Sequence, residues 1–264
     1  MGERGFMAQS CVGRIFVLIL FMKCCAHSAQ AETRQCDALI DSGDAHYAKF
    51  DNRIALDCYR RAFALCPEYP GLMKMTRAFV DFGEDLASKD SKKLFATGLR
   101  YADTLQRRYP DSVQSYFLGA VAAGSLAQIG NAIESVKMGK IAQFNANKTM
   151  TMDPGLPEAY VVLGVYDRRV ALASPLQRTI ARILFGALPN GSLEDSRGLL
   201  KKALEISPEN VFANLELSRT FIALKDTIDA QVLLERMQAM PEVWHLDRKL
   251  KAQGLALLKH IRKK

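Results

Sequence analysis

The chain has 264 residues, of which 49% are hydrophobic and 24% charged, with a net charge of +8. That balance leaves enough apolar surface for a packed core and excludes general disorder. The only long apolar run lies near the N-terminus, which excludes a polytopic membrane protein. One Trp, 8 Tyr and 13 Phe supply no aromatic platform for nucleic acid.

Residues 1–31 read as a secretory signal peptide. Arg4 and Arg14 flank the start of an apolar core from Ile15 to Met22, and small residues lead to Ala29-Gln30-Ala31 before Glu32. The core is too short to span a bilayer, so cleavage after Ala31 and export to a bacterial periplasm are expected. An uncleaved anchor is the alternative. A lipoprotein signal at Cys24 or Cys25 is weaker, because Lys23 stands where a small residue is needed. Much of the remaining positive charge gathers in residues 247–264, at Lys249, Lys251, Lys259, Arg262, Lys263 and Lys264. Such a tail suits a solvated helix end, and a patch for anionic lipid or an acidic partner is the other reading.

Past the signal stand Cys36, Cys58 and Cys66. Cys58 and Cys66 sit on one predicted helix, about 12 Å apart along its axis, too far for a disulfide. Cys36 opens the preceding helix and is placed to approach Cys66, so that bridge or three buried thiols are both open. No C-x-x-C occurs, and no metal or cofactor site is expected.

From residue 32 onward strand signals are nearly absent. Ile54 to Leu65 and Leu199 to Ile206 place apolar residues at helical spacing. Helix breaks recur at Cys66-Pro67, Tyr109-Pro110, Asp153-Pro154, Ser207-Pro208 and Met240-Pro241. Breaks at this scale fit a tetratricopeptide repeat (TPR), about 34 residues folded as two antiparallel helices. Residues 36–69 follow it, with Gly43 at the helix contact, Ala55, Tyr59 and Ala62 on the second helix, and Pro67 at the close. Gly and Ala admit close approach, Tyr fills the space beside them, and Pro stops the helix. A degenerate unit begins at Leu118-Gly119, and residues 84–110 supply a further helix. Pro157-Glu158-Ala159 opens a first helix over 158–173 carrying Tyr160 and Gly164, and 192–206 is its partner, with Ala203 and Pro208 in register. Residues 209–242 form another unit around Phe221 and Ala230. The expected fold is all-α: a TPR-like right-handed helical-hairpin solenoid over 32–246 with one inserted helix and a basic C-terminal helix.

The insertion is residues 175–188. Leu176, Ile180, Ile183 and Leu184 line one face and Arg178 and Arg182 another. It reads as a plug packed on the solenoid, with a partner-binding or membrane-surface helix as the alternatives. The stretches MDPGLPEAYVVLG, SPLQRTIARILFGALP and SLEDSRGLLKKALEISPEN together resemble the regulator of microtubule dynamics family, most clearly over residues 112–242. The resemblance implies a TPR-like solenoid of a family with exported bacterial relatives. A more distant similarity is to the TPR component associated with tripartite periplasmic transporters.

Catalytic motifs are missing. There is no G-x-S-x-G, no H-E-x-x-H, and Gly139-Lys140-Ile141 lacks what a phosphate loop needs. His46, His245 and His260 are widely separated. A non-enzymatic scaffold is therefore expected, holding an unknown protein or peptide in a concave groove. The groove candidates are His46, Asn52, Tyr116, Tyr166, Arg169, Asn214 and Arg219, polar or aromatic residues on first helices. The alternative is a transporter-associated component holding a small apolar ligand.

Overall fold

The computed structural model describes residues 30–86, 88–186 and 190–263. The expected signal peptide lies almost wholly outside them. The described residues form twelve helices and no strand. By contact the chain divides into two compact units, residues 1–75 and 76–264.

In the first unit, α1 (30–47) pairs with α2 (Asn52–Leu65). Asp51 caps α2 by accepting from the Ile54 N–H at 3.3 Å, the usual way a short carboxylate satisfies a helix N-terminus. Ala55 and Ala62 are fully buried, and a Cβ on Gly43 would stand 2.5 Å from Tyr59 Cε1. The ring occupies the space that glycine leaves. Tyr59 Oη donates to Asp44 Oδ1 at 2.6 Å, and Lys74 Nζ donates to the same carboxylate at 2.7 and 2.8 Å. Cys36 and Cys58 are buried, and all three thiols are free. Burial, and then the neighbouring Cys66 thiol, push the Cys36 thiol up to about 12.

The division falls inside α3 (Tyr69–Asp85), whose second half opens the larger unit. There α3 pairs with α4 (Ser88–Arg108), α5 (Val113–Ile129) with α6 (Ala132–Met152), α7 (Pro157–Ala171) with α9 (Leu193–Ile206), and α10 (Val211–Ala223) with α11 (Thr227–Gln238). Helix α12 (Asp247–Ile261) packs on α10 and α11. The spacing for 84–110 predicts one helix, but the structure holds a complete hairpin there, because residues 69–85 are helical as well. The basic C-terminal segment is this packed α12, with Leu250, Gly254 and Leu258 on its buried face. Arg262 reaches Glu235 at 2.6 Å.

Neighbouring hairpins share cores, as stacked repeats must. Val161, Leu200, Ala213, Phe221 and Ala230 form one cluster drawn from α7, α9, α10 and α11. Leu215, Leu234, Met237, Leu250 and Leu258 form the next, closed by α12. At the α7–α9 contact a Cβ on Gly164 would lie 2.6 Å from Leu200 Cγ. A polar network adds direction. The Arg168 guanidinium donates to the Glu216 backbone carbonyl at 2.7 Å and pairs with the buried Glu216 carboxylate, and Arg219 donates to Glu216 Oε1 at 2.6 Å. Ser196 and Thr220 complete it at 2.9 Å.

The inserted helix is α8 (Pro175–Phe185). Ser174 and Gln177 form a capping box, and Gly186 ends the helix with φ 74°. Arg178 donates to the Ala171 and Ala173 carbonyls, each at 3.1 Å, so it also satisfies the C-terminus of α7. The helix packs on α6. The sequence reading of a plug packed on the solenoid holds for only part of the apolar face. Ala181 is buried and Ile180 half-buried, while Ile183 is 77% exposed and Leu176 61%. Eleven residues bear on α6 through a narrow face only.

Three outcomes follow from this packing. Gly164→Leu should destabilise the fold by about 1–3 kcal/mol, the usual cost of overpacking, read as a lower denaturation midpoint with an unchanged urea m-value. Arg168→Ala should cost about 3 kcal/mol, because it leaves the buried Glu216 carboxylate with Arg219 as its remaining cation. Arg219→Ala, at a more exposed position, should cost less in the same denaturant titration.

Candidate functional site

A cavity of about 510 Å³ lies between α4 and α6, with Leu126 of α5 at its base. Leu99, Met138 and Ile141 continue the apolar floor, and Arg100 and Asp103 stand among its polar walls. Both ends are tied. At one, Lys92 pairs with Glu134 at 2.6 Å, and that contact, with the Asn131 N–H, holds the Glu134 carboxyl below its ordinary value. At the other, Gln106 donates to Asn145 Oδ1 at 2.9 Å and to the Ser115 carbonyl at 3.1 Å. These walls hold cations, carboxylates and amides, with no thiol, hydroxyl nucleophile or imidazole among the lining residues. Such a lining offers both hydrogen-bonding groups and apolar contact. A continuous apolar channel, which the transport reading calls for, is not what lines it.

None of the seven groove candidates lines this cavity, which is built largely from second helices of the hairpins. Asn52 and Asn214 are core residues. Asn214 Nδ2 donates to the Asn210 carbonyl at 2.9 Å and lies 3.8 Å from Met240 Sδ, so it braces the start of α10 instead of facing solvent. Tyr166 is buried as well. Burial, and then Asp167, push its hydroxyl up to about 12. Asn52 stands at the start of α2, the second helix of its hairpin, and at Asn214 the polar side chain serves the backbone, so polarity did not mark an open groove at these positions. His46, Tyr116, Arg169 and Arg219 reach the surface to differing degrees. His46 Nδ1 lies 3.6 Å from Asp51, Lys148 sits 5.8 Å above the Tyr116 ring, and Arg219 is also bound to Gln253 at 2.8 Å. Arg169 is exposed beside the Arg168 network.

The second feature is the outer face of α8. Leu176 and Ile183 share one exposed side of it, Leu184 and Phe185 are exposed to a lesser degree elsewhere on the helix, and Phe144 of α6, the helix beneath, is 64% exposed. Arg178 and Arg182 lie on a different side of the helix, Arg178 on the carbonyls that end α7. The sequence showed the amphipathic pattern, but not which side of it would remain open. No helix among the described residues is long and apolar enough to cross a membrane.

Comparison with known proteins agrees with this architecture. The family model for regulator of microtubule dynamics protein 1-3 matches residues 33–262. Regulator of microtubule dynamics protein 3 of Rattus norvegicus is 23% identical over 178 residues, 67% of this chain and 38% of the relative. Protein 1 of the same name from Bos taurus is 21% identical over 191 residues, 71% of this chain and 60% of the relative. The chain thus spans well under half the length of the rat relative. A solved TPR protein from the thermophile Thermus thermophilus superimposes with a TM-score of 0.61 at 15% identity, covering 85% of this chain and 99% of that one. That likeness speaks to the fold alone, TPR-like helical hairpins. On the match across residues 33–262, the chain belongs to the regulator of microtubule dynamics family.

Proposed function

We propose that the chain is a non-enzymatic, exported scaffold that docks a partner protein on exposed surfaces of its helical hairpins. The observation that carries this reading is the open apolar face of α8, with Ile183 at 77% exposure. Exposed apolar residues gathered on one element are characteristic of interaction sites, and α8 interrupts a hairpin that otherwise closes without it. In the larger unit the surface residues of first helices, Tyr116, Arg169 and Arg219, belong to the same proposal as a second contact region, and His46 is a separate candidate in the smaller unit. The absence of catalytic motifs and the inert Cys36 thiol support a binding role.

Export rests on the order of basic residues, apolar core and Ala29-Gln30-Ala31 in the sequence. The relatives are named for microtubule dynamics. In an exported chain the partner is instead a protein of the cell envelope.

A photocrosslinking residue placed at Ile183 in the native host should yield one discrete adduct, whereas the same residue at the equally exposed Ile228 should not. Ile183→Asp should melt within about 0.5 kcal/mol of the parent, as a surface change does, yet lose the partner. Absence of a discrete adduct at Ile183, or loss of binding to anionic vesicles in place of a protein, would overturn the scaffold reading. Export has its own measurement: protein recovered from the envelope should begin at Glu32 by N-terminal sequencing.

A further inference from the structure

One cluster in the larger unit stands apart from both surfaces. The last turns of α3 carry Asp81, Glu84 and Asp85, and the segment before α12 carries His245, whose side chain is 3% exposed. Imidazole Nδ1 lies 2.9 Å from Asp85 Oδ1. The opposite nitrogen, Nε2, lies 3.8 Å from both Asp81 Oδ1 and Glu84 Oε2. One ligand atom each from Asp81, Glu84 and His245 therefore falls within 4.8 Å of the others. Glu84 Oε2 is buried and, among the described residues, has no hydrogen-bond partner.

We propose that Asp81, Glu84 and His245 bind one divalent transition-metal cation, with Asp85 positioning the imidazole. Asp81 and Glu84 are three residues apart on a helix, so both carboxylates share a face. His245 brings the third donor across a long stretch of sequence. Asp85 at Nδ1 fixes the ring so that Nε2 turns toward the two carboxylates, the outer-shell arrangement common to metal-bound histidine. Around a cation with ligands at about 2.1 Å, donor atoms stand roughly 3–3.5 Å apart, so small side-chain movements close this set. One imidazole with two carboxylates suits zinc, manganese or ferrous iron better than calcium, which takes oxygen ligands.

The surroundings explain why a cation belongs here. Three carboxylates converge on one ring, and the nearby Lys249 ammonium is directed at the Glu84 backbone carbonyl at 2.9 Å. Trp244 packs edge-on against the His245 ring, with centroids 5.0 Å apart. Asp247 holds that segment by accepting from the Val243 and Trp244 N–H groups, each at 2.8 Å. The donors are therefore presented on an ordered frame. With all protein ligands on α3 and the α12 approach, the metal acts as a clasp between the first and last helices of this unit.

The test uses the full chain stripped with chelator and titrated with zinc by calorimetry, alongside cobalt absorption and thermal melts. Expected are one saturable zinc per chain, cobalt d–d bands in the visible, and a raised melting temperature with zinc. Glu84→Gln should weaken binding at least tenfold, as should Asp81→Asn. Asp85→Asn, not a ligand, should weaken it about 10–100-fold. His245→Ala should remove the cobalt bands. Should that variant fail to fold, Glu84→Gln carries the decision, because it keeps shape and burial. No saturable binding by the parent chain, or binding unchanged in Glu84→Gln and Asp81→Asn, would overturn the proposal and leave the cluster a protonated imidazole among carboxylates.

Discussion

Everything in the fold depends on how closely the two helices of a hairpin approach. At Gly43 the Tyr59 ring, and at Gly164 the Leu200 side chain, occupy the volume where a Cβ would sit, at 2.5 and 2.6 Å. Two helices that close bury one face each, and they leave their outer faces apolar. The next hairpin must cover them. Hence the cluster of Val161, Leu200, Ala213, Phe221 and Ala230 belongs to two hairpins at once, and the last hairpin needs α12 with Leu250 and Leu258 as its cover. Stability in such an array is a property of neighbours, not of single units.

Apolar stacking alone leaves the rotation of one hairpin on the next weakly specified. The buried Arg168–Glu216 pair supplies direction, because a guanidinium fork satisfies a carboxylate and a carbonyl in few orientations. It lies on the same α7 that receives α9, so α7 is fixed on two sides. That explains how the hairpin tolerates α8. Lengthening a connection raises its closure entropy only slowly, and the Gly164–Leu200 contact is made without it. Helix α8 is then held by its own caps, by Arg178 on the α7 carbonyls, and by a narrow contact with α6. Its remaining apolar side chains are spared from core duty.

Much of this was legible in the sequence, for reasons that can be named. Gly43, Tyr59, Ala62 and Pro67 announce a hairpin because sterics allow few other residues there, and α8 stands out because a helical period appears where a short turn is due. The α3–α4 hairpin was half-seen. Its contact joins Gly83 to Phe95, but no proline near residue 86 marks the break between the helices. Ile183 shows a different limit: a period of 3.6 finds a stripe, and only the partner helix decides how much of it is covered. Asn52 and Asn214 looked available because they are polar, whereas buried amides can serve neighbouring backbone. The α4–α6 cavity has no motif, since three helices must align before Arg100, Asp103 and Met138 face one space.

The distribution of reactive groups bears on function more directly than the fold does. Cys36 is buried with its thiol at about 12, so it remains protonated and a poor nucleophile. The Tyr59 hydroxyl is raised above its ordinary value, first by burial and then by Asp44, and is spent holding that carboxylate. Arg168 is consumed by Glu216. Each of these groups is locked into packing, whereas the large apolar side chains left open on α8 are Leu176, Ile183, Leu184 and Phe185. Those residues have no acid–base chemistry to perform on a substrate. What they offer is apolar area that a covering surface would desolvate, the contribution that dominates the centre of a protein interface.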